Sequence, residues 1–172
     1  MPIQRLNHAV LYVRDVDRSV DFYSGLLDFR VVMQVPGRAA FLLAPGSEND
    51  HDLGLFAIGE AARPTDAGRS TVGLYHLAWE VDTLGELKRI RAGLIGAGAL
   101  VGESDHSTTK ALYAKDPDGL EFEVSWIVPA DLLTEEVLSA RDGIRPLDID
   151  TEIERYGAET LSSLSTPRAL QS

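Results

Sequence analysis

The fold of this chain is decided by two matching stretches, Leu6-Asn7-His8-Ala9-Val10-Leu11-Tyr12-Val13 and Leu74-Tyr75-His76-Leu77-Ala78-Trp79-Glu80-Val81. In each stretch a histidine stands two residues after a leucine and five residues before a valine, and the two copies are 68 residues apart. Alternation of residue types with a period of two is typical of a strand that has two different faces. The repeat therefore predicts two similar modules, each opening with a β-strand that carries a histidine near its start.

A helix and three further short strands follow each copy of the repeat. In the first half, apolar residues recur at helical spacing after Asp15 or Asp17, either of which can cap the helix. In the second half the same spacing joins Leu87, Ile90 and Leu94. Short strands separated by turn residues are predicted at Arg30–Gln34, Ala39–Leu43, Leu53–Ile58, Leu100–Gly102, Lys110–Lys115 and Leu120–Val128. Each half is thus predicted to be a βαβββ module, and two such modules can share one sheet.

The composition of the chain changes after Pro129, where the repeat ends. A helix is predicted to start at Thr134, and a second helix with an apolar stripe is predicted from Asp148 to Gly157. The last fifteen residues, from Ala158 to Ser172, are rich in Ser and Thr and are predicted to be frayed. We therefore predict one domain over residues 1–128, with modules at about 5–60 and 74–128, followed by a helical extension over 129–172.

The charge and the cysteine content exclude several classes of function. The 172 residues include 16 basic and 27 acidic side chains, for a net charge of −11 at pH 7. Such a surface repels phosphate backbones and anionic lipids, so neither a nucleic-acid partner nor a membrane partner is predicted. The absence of cysteine excludes disulfides, thiolate metal ligands and cysteine nucleophiles. No signal-peptide core and no stretch of about 18 apolar residues is found, which predicts a cytoplasmic protein.

The candidate metal ligands are imidazoles and carboxylates. The sequence has four histidines, His8, His51, His76 and His106. His8 and His76 hold equivalent positions in the repeat, so pseudo-symmetry would place them equivalently. Glu121 and Glu123 share one face of the last predicted strand, and periodicity does not choose between them. Two imidazoles and one carboxylate form the facial triad of non-haem iron(II), although zinc accepts the same ligands.

The duplicated modules with His8, His76 and Glu123 resemble the vicinal oxygen chelate superfamily. That superfamily includes glyoxalase I, type I extradiol catechol dioxygenases, fosfomycin-modifying enzymes and bleomycin-binding proteins. The resemblance covers residues from about 5 to 128. It implies an α+β fold in which two tandem βαβββ modules form one curved mixed eight-stranded sheet, with a C-terminal helical tail outside it. It also implies a homodimer or a higher homo-oligomer.

A longer pattern in the second module resembles the signature of the extradiol dioxygenases. As it stands here, the signature runs from His106 through Leu112-Tyr113 and the turn Asp116-Pro117-Asp118-Gly119 to Glu123. By that resemblance Glu123, rather than Glu121, is the metal ligand. Ser104 and Leu120 depart from the signature, but neither position holds a catalytic side chain in the family. The subfamily most resembled is a small one-domain catechol 2,3-dioxygenase.

The resemblance implies a role for every histidine. Fe(II), with Mn(II) or another divalent ion as the alternative, would be held by His8, His76 and Glu123. His51, in a stretch that resembles the strand carrying the family's acid–base histidine, would act as general base and then as general acid. Tyr113 would hydrogen-bond an oxygen of the substrate, and His106 would support the site from outside. The partners implied are a small aromatic diol of the catechol type and O2.

Two alternatives stay open from the sequence. One is a different metal-dependent reaction, either a glyoxalase-like lyase or a fosfomycin-modifying type of transferase, and the other is a non-catalytic small-molecule-binding resistance protein. Glyoxalase I takes a fourth ligand from the last strand of its first half, and Leu53–Ile58 offers no carboxylate. Bleomycin-type binders usually lack the triad. The fosfomycin-modifying enzymes share it, so only the spacing of His106 and Tyr113 disfavours them.

Overall fold

The computed structural model describes residues 2–3, 5–67 and 70–163, and its elements follow the predicted order. These elements are β1 (Ala9–Val13), α1 (Val16–Leu27), β2 (Arg30–Val35), β3 (Ala39–Leu43), β4 (Leu53–Ala57), β5 (His76–Glu80), α2 (Leu84–Gly96), β6 (Leu100–Asp105), β7 (Thr109–Lys115), β8 (Glu121–Ile127), a 3-10 turn (Ala130–Leu132), α3 (Glu135–Ser139) and α4 (Ile149–Tyr156). The α+β class, the two tandem βαβββ modules and the C-terminal helices are confirmed.

The strands form two four-stranded mixed sheets, with the order β1-β4-β3-β2 in sheet 1 and β5-β8-β7-β6 in sheet 2. In both sheets the first strand of the module is parallel to the fourth, and the other pairs are antiparallel. The expected single eight-stranded sheet is corrected by this pairing. The four strands of each module hydrogen-bond to one another, and no ladder joins the described strands of one module to those of the other.

Contacts divide the chain into two units, and unit 1 comprises Met1–Asp66 together with Asp116–Leu120. Helix α1 packs against β2, β3 and β4 of sheet 1. Asp15 is its N-cap, because its side chain accepts hydrogen bonds from the N–H groups of Asp17 and Arg18 in the first turn. The core of this unit includes Val13, Val16, Tyr23, Leu27, Leu42, Leu53 and Leu55.

The turn Asp116–Leu120 belongs to unit 1. The carboxylates of Asp116 and Asp118 connect it to α1 and to Arg14, which comes just before α1. The Oδ1 atom of Asp118 lies 2.7 Å from Arg14 NH1 and 2.8 Å from Arg18 NH2. The Tyr23 hydroxyl donates to Oδ2 of the buried Asp116 at 3.3 Å. The Asp-Pro-Asp-Gly turn of the signature is therefore an anchored structural element as well as a link between strands.

Unit 2 comprises Ala67–Lys115 and Glu121–Ser172, and α2 covers one face of its sheet. The alternation predicted for β8 is present. Phe122, Val124 and Trp126 are buried in the core, and Glu121 and Glu123 lie on the opposite face. The rest of this core includes Leu84, Leu87, Ile90, Leu94, Ala111 and Leu112.

The C-terminal extension is part of unit 2 and packs against strand β8 of the same unit. Helix α4 starts after Asp148, as predicted, and its Tyr156 ring lies 5.4 Å from that of Trp126. The expected fraying from Ala158 onward is wrong for the described part of that segment. Trp126 Nε1 donates to the carbonyl of Thr160 at 3.0 Å, and the fully buried Ser162 hydroxyl accepts from the Ile127 N–H at 3.1 Å. Residues 164–172 lie outside the described residues.

Among the helices that the structure describes, none is long and apolar enough to cross a membrane.

Candidate active site

His76 and Glu123 face each other on neighbouring parallel strands of sheet 2. The register pairs His76 with Glu121 and Ala78 with Glu123, which places the imidazole and both carboxylates on one face. His76 Nε2 lies 3.3 Å from Glu123 Oε2, and the two side chains are only 24% and 14% exposed. Two donors that bind one divalent ion at ~2.1 Å with a right angle between them are ~3 Å apart. The pair therefore has the spacing of two ligands to one ion.

One ring nitrogen of His76 is not satisfied by any of the described residues. Nδ1 is buried and has no hydrogen-bond partner among the described residues. A buried polar atom without a partner is costly, and histidines that ligate metals usually hydrogen-bond through their other nitrogen. The imidazole is held instead by Glu123 at Nε2 and by the ring of Tyr75, whose centroid lies 4.6 Å away.

Tyr113 and His106 lie beside this pair. Tyr113 is the cross-strand partner of Glu123, and its ring centroid is 5.9 Å from that of His76. His106 follows β6, and its Nε2 is hydrogen-bonded to the Tyr113 hydroxyl at 3.0 Å, with the donor set by the imidazole tautomer. Burial raises the pKa of Tyr113, and the charge of Glu123 raises that pKa further. The Tyr113 hydroxyl is therefore protonated at neutral pH, and its hydrogen is available to another acceptor when His106 Nε2–H is the donor of this bond.

Tyr75 is a site residue that sequence reasoning missed. Glu121, as a nearby hydrogen-bond acceptor and negative charge, is the main reason why the pKa of Tyr75 is raised. The structure thus places Glu121 beside Tyr75 and Glu123 beside His76. The only available signal was the position of Tyr75 next to His76, because the pairing of His76 with Glu121 is a long-range property of the sheet.

Two histidines also meet in unit 1. His8 comes directly before β1 and His51 stands two residues before β4, and these are neighbouring parallel strands in register. The two ring centroids are 4.5 Å apart. His8 Nδ1 lies 2.6 Å from the side-chain oxygen of Asn7, and His51 Nδ1 lies 3.3 Å from Asp50 Oδ2. Each imidazole is thus oriented through Nδ1, which leaves its Nε2 for other partners.

An apolar surface adjoins these two histidines on sheet 1. The Phe41 ring is edge-on to His51 at 5.1 Å and to Phe56 at 5.7 Å. Val10 and Tyr12 of β1 are exposed, and Tyr12 pairs with Phe56 in the register. Ligand sites are lined mostly by apolar and aromatic groups with a few placed polar ones, and this surface has that composition.

The predicted site residues fall into two groups. Within unit 1 the structure brings His8 and His51 together, and within unit 2 it brings together His76, Glu123, Tyr113 and His106. In neither unit do the described residues include three or more His, Asp or Glu side chains placed to hold a metal ion. The predicted ligand set takes His8 from one unit and its other two members from the other, and it stays a prediction.

Comparison with known proteins identifies the family. Residues 5–124 match the model of the Glyoxalase/Bleomycin resistance protein/Dioxygenase superfamily, and the chain belongs to this family. The predicted resemblance to the vicinal oxygen chelate superfamily is thereby confirmed. The family description covers several reactions, so membership alone does not select one of them.

Individual relatives are more distant. Catechol-2,3-dioxygenase of Bacillus subtilis (strain 168) is 33% identical over 114 residues, which are 66% of this chain and 38% of that protein. Biphenyl-2,3-diol 1,2-dioxygenase 2 of Rhodococcus globerulus is 30% identical over 113 residues, 65% of this chain and 57% of that protein. This chain therefore spans well under two thirds of either relative.

A solved structure supports the fold. The glyoxylase/bleomycin resistance protein/dioxygenase domain from Frankia sp. EAN1pec is 23% identical and superposes with a TM-score of 0.62. The match covers 75% of this chain and 96% of that one.

Proposed function

We propose that this protein is an Fe(II)-dependent extradiol dioxygenase that cleaves the ring of a catechol-type aromatic diol with O2. The observation that carries the proposal is the arrangement on one face of sheet 2, where His76 meets Glu123 and Tyr113 meets His106. The similarity to catechol-2,3-dioxygenase and to the biphenyl diol enzyme supports the same reaction class. A small aromatic diol and O2 are then the partners of the protein.

Iron would be held by His8, His76 and Glu123. Two imidazoles and one carboxylate are the donor set of non-haem iron(II), and Mn(II) or another divalent ion is the alternative. The 3.3 Å separation of His76 Nε2 and Glu123 Oε2 fits two ligands of one ion. When bound, the metal would lower the pKa of a diol hydroxyl and bring the diol and O2 together.

Tyr113 would orient the diol. Its hydroxyl is protonated at neutral pH because burial raises its pKa, so it can donate a hydrogen bond to a diol oxygen. His106, at 3.0 Å from that hydroxyl, would fix the direction in which the hydroxyl points.

His51 would move the proton. A neutral imidazole can accept a proton from the diol at its unprotonated nitrogen and later return it as the imidazolium. Asp50, at 3.3 Å from Nδ1, favours the tautomer in which Nε2 is free to accept. Phe41, beside His51, and Phe56, beside Phe41, would hold the aromatic ring of the diol and exclude water from it.

The test is anaerobic reconstitution with Fe(II), followed by a panel of catechols with recording of O2 uptake and of the yellow ring-opened product. The proposal requires product formation with equimolar O2 uptake. Iron binding without turnover of any catechol would contradict it and would point to a lyase or transferase reaction. Failure to bind iron at all would point instead to a non-catalytic binding protein.

A further inference from the structure

We propose that the C-terminal extension, residues 129–163, positions His106 for its hydrogen bond to Tyr113. In this assignment Ser107, Asp105 and Arg145 are positioning residues that act through His106. The inference rests on the proposed function in that His106 and Tyr113 serve the reaction. The family match ends at residue 124, so the extension lies beyond the part of the chain that the family model describes.

Ser107, directly after His106, is the first contact point of the extension. It is buried, and its φ of 67° lies in the left-handed region that residues other than glycine rarely adopt. Its hydroxyl donates to the carbonyl of Val137 in α3 at 2.7 Å. Its N–H donates to Asp105 Oδ1, also at 2.7 Å. A strained backbone persists only where the surroundings fix it, and here α3 supplies part of that fixation.

Asp105, directly before His106, is the second contact point. Its N–H donates to the carbonyl of Arg145 at 2.8 Å, and its carbonyl accepts from the N–H of Arg145 at 3.0 Å. The Arg145 guanidinium also donates to Asp105 Oδ2 at 3.2 Å. Arg145 therefore forms an isolated antiparallel bridge with Asp105 at the end of β6, and this bridge fixes the backbone on the N-terminal side of His106.

Lys110 connects the same place to α4. Its Nζ lies 2.5 Å from Asp105 Oδ1 and 2.8 Å from Glu152 Oε2, and its side chain is only 1% exposed. Glu152 is in α4, so the carboxylate of Asp105, next to His106, contacts Arg145 directly and is linked to α4 through Lys110. The chain on either side of His106 is thus held by α3, by residue 145 and by α4. If this support were lost, the loop would be free to carry Nε2 away from the Tyr113 hydroxyl.

The test compares two serines. Ser107 contacts the extension, and Ser139 lies inside it. Ser107→Ala removes the hydroxyl that bonds to Val137, whereas Ser139→Ala removes a hydroxyl that donates within α3, to the carbonyl of Glu136. Nitrogen NMR of the histidine side chains is recorded on the full-length metal-free protein. We expect Ser107→Ala to shift the His106 ring resonances and Ser139→Ala to leave them in place. Unshifted His106 resonances in Ser107→Ala would overturn the proposal.

A double-mutant cycle gives the second readout. Ser107→Ala is expected to lower kcat/KM for catechol cleavage about tenfold, the loss typical of residues that orient a site from outside. In a His106→Phe background the same change should have no further effect, because its action passes through His106. Losses that multiply in the two backgrounds would overturn the proposal, since a general loss of structure would act independently of His106.

The outcomes separate this inference from the proposed function. If the wild-type protein cleaves no catechol, the proposed function fails, and the NMR comparison alone decides whether the extension positions His106. If Ser107→Ala does not fold, Arg145→Ala replaces it, because the Arg145 side chain is half exposed and contacts Asp105. A shift of the His106 resonances in Arg145→Ala supports the proposal, and unchanged resonances overturn it.

Discussion

At the scale of single residues, the two glutamates of β8 show what spacing can and cannot decide. Alternation places Glu121 and Glu123 on one face, and both do lie on one face. A period of two cannot distinguish them, however, and only the resemblance to the dioxygenase signature favours Glu123. In the structure Glu123 lies beside His76, and Glu121 lies beside Tyr75, whose pKa it raises. These different partners make the choice testable.

Glu123→Gln is expected to weaken iron binding by about a hundredfold or more, because loss of a ligating carboxylate should cost at least as much as loss of a group that only orients a ligand. Glu121→Gln is the matched control, because it removes the same charge two residues away on the same face and should retain iron. The measurement is iron stoichiometry and affinity after anaerobic reconstitution. Retention of iron by Glu123→Gln together with its loss from Glu121→Gln would show that the ligand is assigned to the wrong glutamate.

His51→Phe tests the proton-transfer role. Phenylalanine keeps a planar ring against Phe41 but cannot accept a proton, so kcat should fall by about a hundredfold or more while iron binding is retained. Steady-state kinetics and metal analysis on the same sample give both quantities. An unchanged kcat would remove His51 from the mechanism.

At the scale of secondary-structure elements, the least predictable feature is the buried lysine of β7. The sequence predicts a strand at Lys110–Lys115 but gives no reason for a lysine on its core face. The reason is the packing of α4. Its Glu152, 42 positions later in the chain, forms an ion pair with Lys110. Local patterns predict the strand and the helix separately, and they do not contain a pairing over such a distance.

Lys110→Met should lower the free energy of unfolding by roughly 3–5 kcal/mol, because Asp105 and Glu152 would lose their shared buried cation. Lys88→Met is the control, since Lys88 also pairs with an acid of α4, Asp150, but is half exposed. That exposed pair is expected to contribute less than about 1 kcal/mol. Urea denaturation of both variants measures the difference, and equal losses would be inconsistent with the burial of Lys110.

Asp105 should make the stability of unit 2 sensitive to acid. Burial alone would raise the pKa of Asp105, but the hydrogen bonds from Lys110 and from the Ser107 N–H outweigh that effect and lower the pKa. Because the folded-state pKa lies below the unfolded value, the carboxylate stabilises the fold above the unfolded pKa of 3.8, and this stability is lost as pH falls through the folded pKa.

Asp105→Asn tests this linkage. The variant is expected to be about 2 kcal/mol less stable than the wild type near pH 7, since it loses hydrogen bonds to a charged group. Its stability should also fall less between about pH 5 and pH 2 than that of the wild type. Urea titrations across this range give both comparisons. Parallel pH dependences in the two proteins would mean that Asp105 is not linked to acid unfolding.

At the scale of the whole molecule, most of the correct fold prediction followed from the internal repeat. The offset between the stretches at His8 and His76 predicted where each of the two modules begins. The strand at Ala39–Leu43 was predicted with its exact first and last residues. The division into two sheets was not predictable, because alternation shows which face a residue occupies but not which strand pairs with which. The packing of Ser162 was missed for a similar reason, since a Ser- and Thr-rich composition does not show that a hydroxyl bonds to β8.

The central claim, that this chain catalyses extradiol cleavage, is tested most directly by isotope labelling. The Fe(II)-reconstituted protein would be given its best catechol and O2 labelled with the heavy oxygen isotope, and the product would be analysed by mass spectrometry. We predict a ring-opened product, cleaved beside the two hydroxyl-bearing carbons rather than between them, that carries both atoms of one O2 molecule. A product without labelled oxygen, or one cleaved between the two hydroxyl-bearing carbons, would contradict the claim.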